Sequence, residues 1–331
     1  MSATEPNGNT RARLLDQLRI ILKHWDETCD SPDSESVIKL LERYSDHLSD
    51  VFKGQSAILR EEELRNIDCE VRPWLLLSDI AKHVYRKPLG YAGDFQLIQK
   101  IYDNTPRGED LQSLALDRCL LNTAPARAVR NRRLFVTNCL RSLVANHRSG
   151  KLQIISLACG PATEVFDALN VEQTRNKVHF HLVDIDHRAI EDVRAKAKSL
   201  GVEPCITLHR KDITRFLVSD SETVGLNNID LAYSIGLIDY FDERHVLRLM
   251  NFVHSILRPG GKLILGNFHP NNPLRAFMDY VLDWKLIHRT ADEMNHLCQQ
   301  SEFQCDFDQI DFEPTGINLF ATIAKRGSTT N

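Results

Sequence analysis

The hydrophobic pattern changes once along the chain. Between Arg11 and Tyr85 apolar residues recur three and four positions apart, which is typical of amphipathic helices, and no strand-like alternation is visible. After Leu152 short apolar runs alternate with helical stretches and turn residues. Residues 1–10 are polar and are predicted to be disordered. The pattern predicts an N-terminal helical domain over residues 11–125 and an α/β domain over residues 126–326.

Four helical segments are predicted in the first domain. A Ser-Pro-Asp-Ser turn at residues 31–34 separates the first two, because serine, proline and aspartate favour turns. The predicted helices cover residues 11–25, 36–52, 57–66 and 71–85.

The second domain is predicted to consist of repeated strand–helix units. The run Ile154-Ile155-Ser156-Leu157 is apolar without alternation, as in a parallel strand that is covered on both faces. A Pro-Gly-Gly turn precedes the fifth run, and two more strands are expected between Phe307 and Ala324. Five evenly spaced units predict a doubly wound α/β sheet. The strands of these units lie within residues 152–157, 178–184, 206–213, 229–236 and 257–266.

The loop after the first predicted strand consists of small residues, with Gly160 at its centre. Small side chains let the backbone approach a ligand closely, and the start of the following helix offers free N–H groups. An ordinary strand-to-helix turn is the alternative. The second strand ends on Asp184, about 24 residues later, where an acid can accept the ribose hydroxyls of a nucleoside. Asp184 or Asp186 could instead cap the helix that starts near His187.

The order of these motifs resembles that of the class I S-adenosylmethionine (SAM) dependent methyltransferases. The small-residue loop and the acid are followed by Lys-Asp-Ile at 211–213, Asp-Leu-Ala-Tyr-Ser at 230–234 and Leu-Arg-Pro-Gly-Gly-Lys at 257–262. The resemblance covers residues 127–326 and implies a Rossmann-like, seven-stranded domain that binds SAM. The SAM contacts that it implies are Ala158, Gly160, Ala162, Asp184, Ile185, Asp212, Ile213 and Ser234.

The first motif departs from the pattern of that family. Ser156 stands where the family usually has an acid, and Ala158 and Ala162 replace two of its glycines. Alanine tolerates a positive φ angle less freely than glycine does. We therefore expect the loop to follow a somewhat different path from that of the family.

A second informative segment covers residues 85–95, in which Tyr91 lies between Gly90 and Gly93. It is either a structural turn, with Tyr91 packed and Asp94 capping the next helix, or a lid over the SAM pocket. In a lid, the tyrosine face would attract the sulfonium cation. Similar loops occur in proteins that resemble the bacterial 3-hydroxy fatty acid methyl ester synthases, and in relatives that cyclise SAM to azetidine-2-carboxylic acid. This likeness extends over most of residues 85–326.

A basic run precedes the first strand of the sheet. Arg130 and Arg133 are three positions apart and share a face of the predicted helix. A planar guanidinium suits the carboxylate at the methionine end of SAM, so one of the two is predicted to reach the pocket. A solvated helix face is the alternative.

Further candidates follow the fourth and fifth strands, at the edge where open α/β sheets place their chemistry. Asp239 and Tyr240 could position an acceptor or accept a proton, or Asp239 could cap the helix near Glu243. Asn267 and His269 follow the fifth strand, and His269 could act as an acid, a base or a turn-stabilising donor. A helix is predicted over residues 278–290. The catalytic candidates are Tyr91, Asp239, Tyr240 and His269, and the substrate contacts are Tyr91, Asp94, Asn267 and His269.

Composition excludes several other functions. With 42% apolar and 26% charged residues and a net charge of -4, the chain gives no reason to expect a nucleic-acid or anionic-membrane partner. Its eight cysteines form no metal-binding spacing, and Cys159 is predicted to be a buried filler. No apolar leader or membrane-spanning run is visible, so we expect a cytoplasmic protein with a small-molecule substrate.

Methyl transfer from SAM is an in-line displacement that needs alignment and a dry cavity, and no metal is predicted. The favoured function is a methyltransferase that acts on a small or lipid-like carboxylic acid in secondary-metabolite or signal biosynthesis. The alternative is a SAM cyclase, in which the α-amine attacks the γ-carbon and releases methylthioadenosine. A SAM-binding, non-catalytic partner protein is the third hypothesis.

Overall fold

A computed structural model describes residues 34–54, 56–148, 150–213 and 226–327, so the helix predicted over 11–25 lies outside the described residues. The chain divides into two compact units. The helical unit comprises the described residues up to Val129 together with Asn271–Lys285, and the sheet unit comprises Arg130–Pro270 and the described residues from Leu286 onwards. The predicted division after residue 125 therefore needs one correction, because residues 271–285 join the helical unit.

The helical unit is built from α1 to α6 and two short π-helical turns. Its third predicted helix matches residues 57–66, whereas the helix predicted over 71–85 is interrupted, because Ser78 caps a new helix through its bond from the Ala81 N–H. The helices are α1 Ser34–Lys53, α2 Ala57–Asn66, α3 Arg72–Leu75, α4 Asp79–Arg86, α5 Phe95–Asp103 and α6 Leu111–Asn122, with π turns at Ile67–Val71 and Phe277–Val281.

The helix predicted over residues 278–290 is wrong. Only Phe277–Val281 is helical there, and Asp283 has a positive φ of 51°, which ends the helix. Specific contacts hold this segment in the helical unit. Arg72 donates to the carbonyl oxygens of Tyr280 and Val281 at 3.1 and 3.2 Å, and the Tyr280 ring stacks on Phe52 at 3.7 Å.

The sheet unit contains a seven-stranded sheet in the order β3-β2-β1-β4-β5-β7-β6. Strands β1 to β5 are parallel, and β7 pairs antiparallel with both β5 and β6. The strands are β1 Leu152–Leu157, β2 Val178–Asp184, β3 Ile206–Arg210, β4 Ile229–Ser234, β5 Leu257–Phe268, β6 Gln309–Phe312 and β7 Asn318–Ala324. The helices assigned to this part of the chain are α7 Ala124–Asn146, α8 Thr163–Leu169, α9 Glu172–Arg175, α10 His187–Ser199, α11 Glu243–Ile256 and α12 Ala291–Gln300.

Both faces of the sheet are buried, as the apolar runs predict. Alternate residues of β1 enter different clusters, with Ile155 and Leu157 in one and Leu152 and Ile154 in the other. The predicted seven-stranded α/β fold is confirmed. The strand order reverses direction between β1 and β4, and open α/β sheets bind ligands beyond the carboxyl ends of the strands at such a point.

Within the described ranges, no helix is long and apolar enough to cross a membrane.

Candidate functional site

The loop after β1 is left-handed at three alternate residues. Ala158, Gly160 and Ala162 have φ angles of 58°, 51° and 47°. Both alanines thus adopt a conformation that glycine adopts freely, and the expectation that the loop follows a different path from that of the family stays a prediction. Each pays a backbone cost of roughly 1–2 kcal/mol relative to a right-handed conformation, and strain of this kind clusters at functional sites.

Replacing Ala162 with glycine tests this strain. Glycine adopts a positive φ angle without strain, which stabilises the folded state, but it also increases the conformational entropy of the unfolded chain. We therefore expect the unfolding free energy either to rise or to fall by less than about 1 kcal/mol. Ala195→Gly in the exposed face of helix α10 is the matched control and should lose about 1 kcal/mol. Urea unfolding curves measure both. Ala162 is also fully buried, so the variant loses a methyl contact worth about 0.8 kcal/mol, and a loss that exceeds that of the control by about this amount would show that Ala162 is not strained.

Asp184 is buried at the end of β2, with 5% of its surface exposed. Its Oδ2 accepts the Gly160 N–H at 2.8 Å and its Oδ1 accepts the Asp186 N–H at 2.9 Å. Burial raises the pKa of Asp184, and these backbone bonds oppose the rise. Asp186, and not Asp184, caps helix α10. A carboxylate has about four lone-pair sites, so Asp184 can accept a further donor beside these backbone bonds.

The other residues implied for SAM binding differ in their accessibility. Ile185 follows Asp184 and is 57% exposed, so its apolar face is available to a flat ligand. Asp212 is half-buried two residues beyond β3, and Ile213 lies in the hydrophobic core. The Ser234 hydroxyl is fully buried and donates to the Leu157 carbonyl at 2.9 Å, which ties β4 to β1.

Asp239 is a buried carboxyl beyond the end of β4. Its Oδ1 accepts the Phe268 N–H at 2.7 Å, and helix α11 is capped by Asp242 instead. Burial raises the pKa of Asp239 to about 6, although the charges of Arg132 and Arg289 act to lower it. This carboxyl therefore titrates close to neutral pH in a buried position.

Arg289 organises this part of the site and was missed by sequence reasoning. Its guanidinium donates to the Ile238 carbonyl and to Asn267 Oδ1, both at 2.8 Å, and to the Phe241 carbonyl. The Asn267 amide in turn donates to the Ile287 carbonyl at 3.0 Å. Asn267, predicted as a substrate contact, is fully buried and is used in this network.

The basic run on α7 places its three arginines differently. Arg133 forms a two-pronged ion pair with Asp167, at 2.6 and 2.9 Å, and Arg130 is half-buried. The buried member is Arg132, which was not singled out, with 7% exposure. Its Nη1 would lie 3.0 Å from a Cβ added to Gly236, so this glycine leaves room for the guanidinium at the carboxyl end of β4.

Glu164, in the first turn of helix α8, is a second buried carboxyl that was missed. It is 3% exposed, and Oε1 accepts the Tyr233 hydroxyl at 2.9 Å. Burial raises the pKa of Glu164, and the charge of Arg132 is among the factors that lower it. The charge of Arg132 thus acts to lower the pKa of both Glu164 and Asp239.

The remaining candidates lie in more varied settings. Tyr91 is 38% exposed in the helical unit, in the turn before α5. Asp94 is fully buried, caps α5 through the Leu97 N–H and is bound by His83 Nε2 at 2.8 Å. Its role as the cap of α5, one of the two interpretations of this segment, is confirmed.

Tyr240 and His269 lie in the sheet unit. Tyr240 is 40% exposed, and half-buried His269 meets the Phe312 ring edge-on at 5.3 Å.

Two observations narrow the chemistry of the site. Among the described residues, no group of three or more His, Cys, Asp or Glu side chains is arranged to hold a metal ion. Burial raises the pKa of Cys159 well above its ordinary value, which favours the filler interpretation over a nucleophile.

The arrangement fits a nucleoside that carries an amino acid. Asp184 offers buried acceptor oxygens beside the apolar surface of Ile185, which suits a ribose next to a base. Arg132 offers a buried guanidinium at the switch point between β1 and β4, which suits a carboxylate. The residues present thus fit SAM.

A cavity of about 710 Å³ lies elsewhere in the sheet unit, between helix α7 and the sheet face. It is lined by Phe135, Leu231, Ile264 and Phe312 among others, and none of the candidate residues above borders it. The candidate site therefore rests on the chemistry of the sheet edge and not on cavity size.

Comparison with protein families matches residues 89–325 to the family described as "Putative methyltransferase". The comparison with curated proteins finds no match.

Two solved structures match the chain at low sequence identity, and the first shares its fold. A crystal structure of a "possible exported protein" from Bordetella parapertussis is 17% identical, with a TM-score of 0.60, over 89% of this chain and 97% of that one. Magnesium protoporphyrin IX methyltransferase from Synechocystis PCC 6803, with bound S-adenosylhomocysteine (SAH), is 10% identical, with a TM-score of 0.49, over 75% of this chain and 100% of that one.

Proposed function

The chain belongs to a methyltransferase family, and from this we propose that it is a SAM-dependent methyltransferase. We propose that its acceptor is a small or lipid-like carboxylic acid and that the reaction belongs to the biosynthesis of a secondary metabolite or a signal. The main support is the sheet edge, where a strained small-residue loop, buried Asp184 and exposed Ile185 lie beside one another. A nucleoside needs this combination of acceptor and apolar surface.

Three residues are proposed to hold SAM. Asp184 accepts the ribose hydroxyls, Ile185 covers one face of the adenine, and Arg132 binds the methionine carboxylate. Arg132 takes this role in place of Arg130 and Arg133, because Arg133 is already paired with Asp167 and Arg132 is the buried member of the run.

SAM supplies an activated methyl group on a sulfonium centre. The chain's own residues then need only to bind, align and exclude water, because a carboxylate acceptor has no proton to lose. Asp239 remains the proposed base for an acceptor that does carry a proton, since burial raises its pKa to about 6.

Incubation with SAM tests the proposal. The purified protein is mixed with SAM, alone and with a panel of short- and medium-chain carboxylic acids, and the products are identified by mass spectrometry. SAH and a methyl ester that form only when an acid is present support the methyltransferase. Methylthioadenosine and a cyclic amino acid from SAM alone would establish the cyclase and overturn the proposal. SAM binding without any turnover would favour a non-catalytic partner protein.

A further inference from the structure

The side chain of Asn267, fully buried near the end of β5, spends its donors on the protein's own backbone. Its Nδ2 donates to the Phe268 carbonyl at 2.7 Å and to the Ile287 carbonyl at 3.0 Å. Its Oδ1 accepts from the Arg289 guanidinium at 2.8 Å. A side-chain amide has two N–H hydrogens to donate, and both are used here. Asn267 therefore acts on other parts of the protein through these bonds.

The two residues that Asn267 holds are also the two that bind Asp239. The Phe268 N–H donates to Asp239 Oδ1 at 2.7 Å, and the Ile287 N–H donates to the Asp239 carbonyl oxygen at 2.7 Å. Each of the two residues thus donates to Asp239 through its N–H and accepts from Asn267 through its carbonyl. One buried amide fixes both of the backbone donors that Asp239 uses.

Arg289 fixes the turn that carries Asp239. Its guanidinium donates to the Ile238 carbonyl at 2.8 Å and to the Phe241 carbonyl, on either side of Asp239 in the chain. Its backbone N–H donates to the Phe268 carbonyl at 2.9 Å. A group that transfers protons must be held in one geometry by its supporting bonds, and these bonds supply that support.

The Asp239 carboxyl itself is fixed but not saturated. Among the described residues, Phe268 is the one other residue that donates a hydrogen bond to it, and a carboxylate has about four lone-pair sites. The charges of Arg132 and Arg289 act to lower its pKa, whereas burial raises this pKa to about 6. The carboxyl can therefore accept a bond from a ligand while Phe268 keeps it in place.

We propose that Asn267 is a positioning residue, which acts through the backbone of Phe268 and Ile287 to hold the Asp239 carboxyl where a proton-bearing acceptor can reach it. This rests on the proposed function, in which Asp239 is the base for such an acceptor. Phe268 and Ile287 lie just before and just after residues 271–285, the segment that joins the helical unit. Both ends of this segment are thus tied to Asp239, and loss of the Asn267 amide should loosen both ties.

Asn267→Leu removes the amide and tests the proposal. NMR titration of the chain with ¹³C-labelled aspartate carboxyl groups gives the pKa of Asp239 without any ligand, and Asp239→Asn identifies its resonance. The bond from the Phe268 N–H favours the ionised carboxylate, so loosening it should raise the pKa of Asp239 by roughly one unit. The Phe268 amide hydrogen should also exchange with solvent faster than in the intact chain.

Asn295→Leu is the matched control. The Asn295 side chain also holds a backbone group, since its Oδ1 accepts the Phe307 N–H at 3.0 Å, but no bond joins it to the turn of Asp239. Its loss should leave the pKa of Asp239 unchanged. An unchanged or lowered pKa in Asn267→Leu, or an equal rise in the control, would overturn the proposal.

Arg289→Lys provides a second route if Asn267→Leu fails to fold. Lysine keeps the positive charge but lacks the planar guanidinium that bonds to Asn267 Oδ1 and to two carbonyl oxygens. The pKa of Asp239 should rise here as well, because the amide loses the bond that orients it, and an unchanged pKa would contradict the proposal. Failure of the proposed function has a different signature, because the intact chain would then not bind SAH, whereas these titrations need no ligand.

Discussion

Asp184→Ala is expected to weaken SAH binding by roughly 1–3 kcal/mol, or about fivefold to 150-fold. The substitution removes the proposed acceptor of the ribose hydroxyls. It also leaves the N–H groups of Gly160 and Asp186 without their present partner, so the small-residue loop loses one of its links to the end of β2 and keeps the bond from the Cys159 N–H to the Val183 carbonyl. Calorimetric titration with SAH measures the effect, and thermal unfolding measures the accompanying loss of stability.

Asp186→Ala is the matched control for this prediction. Asp186 lies two residues later, caps helix α10 and pairs with Arg188 at 2.9 Å, but it does not bond to the loop. Its loss should cost about 1 kcal/mol of stability, the value of a helix cap, with little change in SAH affinity. If Asp184→Ala also left SAH affinity unchanged, Asp184 would not belong to the binding site.

Much of the sheet unit is predictable from sequence, because each strand is an apolar run that ends in a turn signal. The apolar run before Ala158 marks the first strand, and Asp184 marks the end of the second. The Pro-Gly-Gly turn marks the start of the fifth strand. Motif order then supplies the seven-stranded fold through the resemblance. The left-handed conformation of Ala158 and Ala162 could not be predicted from the sequence, because alanine by itself disfavours a positive φ angle and only the surrounding fold imposes it here.

The helix predicted over residues 278–290 shows a second limit. Apolar spacing predicted a continuous helix, but the helical turn ends before Asp283, which has a positive φ angle. The segment is held by contacts from Arg72 and Phe52, both of which lie more than 200 positions earlier in the chain. Such tertiary contacts have no signal in a local window. The same contacts explain why residues 271–285 join the helical unit.

The buried polar cluster of the site was the least predictable part. Sequence spacing identified a basic run but could not tell which of three arginines points inwards, because that depends on how α7 lies against the sheet. Glu164 and Arg289 gave no signal of their own, since an isolated charged residue is ordinarily exposed. Only the pairing of Glu164 with Tyr233, and of Arg289 with Asn267, shows that they are interior groups.

Arg289→Met is expected to destabilise the sheet unit by about 3–5 kcal/mol, because it leaves three acceptor oxygens without their charged donor. The substitution leaves the Ile238 carbonyl and Asn267 Oδ1 without their donor and takes one cation away from Asp239. Arg258→Met is the control. Arg258 pairs with Asp230 at the surface at 2.5 Å, and its loss should cost less than about 1 kcal/mol.

The deficit of Arg289→Met should depend on pH in a defined direction. Burial already raises the pKa of Asp239 to about 6, and Arg289 acts to lower it, so removal of the arginine raises this pKa further. Above the new pKa the folded variant must keep a buried carboxylate that has lost one of its two nearby cations, whereas below it the carboxyl is protonated and neutral. Urea unfolding at pH 8 and pH 5 should therefore show the larger deficit at pH 8. A deficit that is equal at both pH values would show that Arg289 stabilises the unit through its hydrogen bonds alone and not through the charge of Asp239.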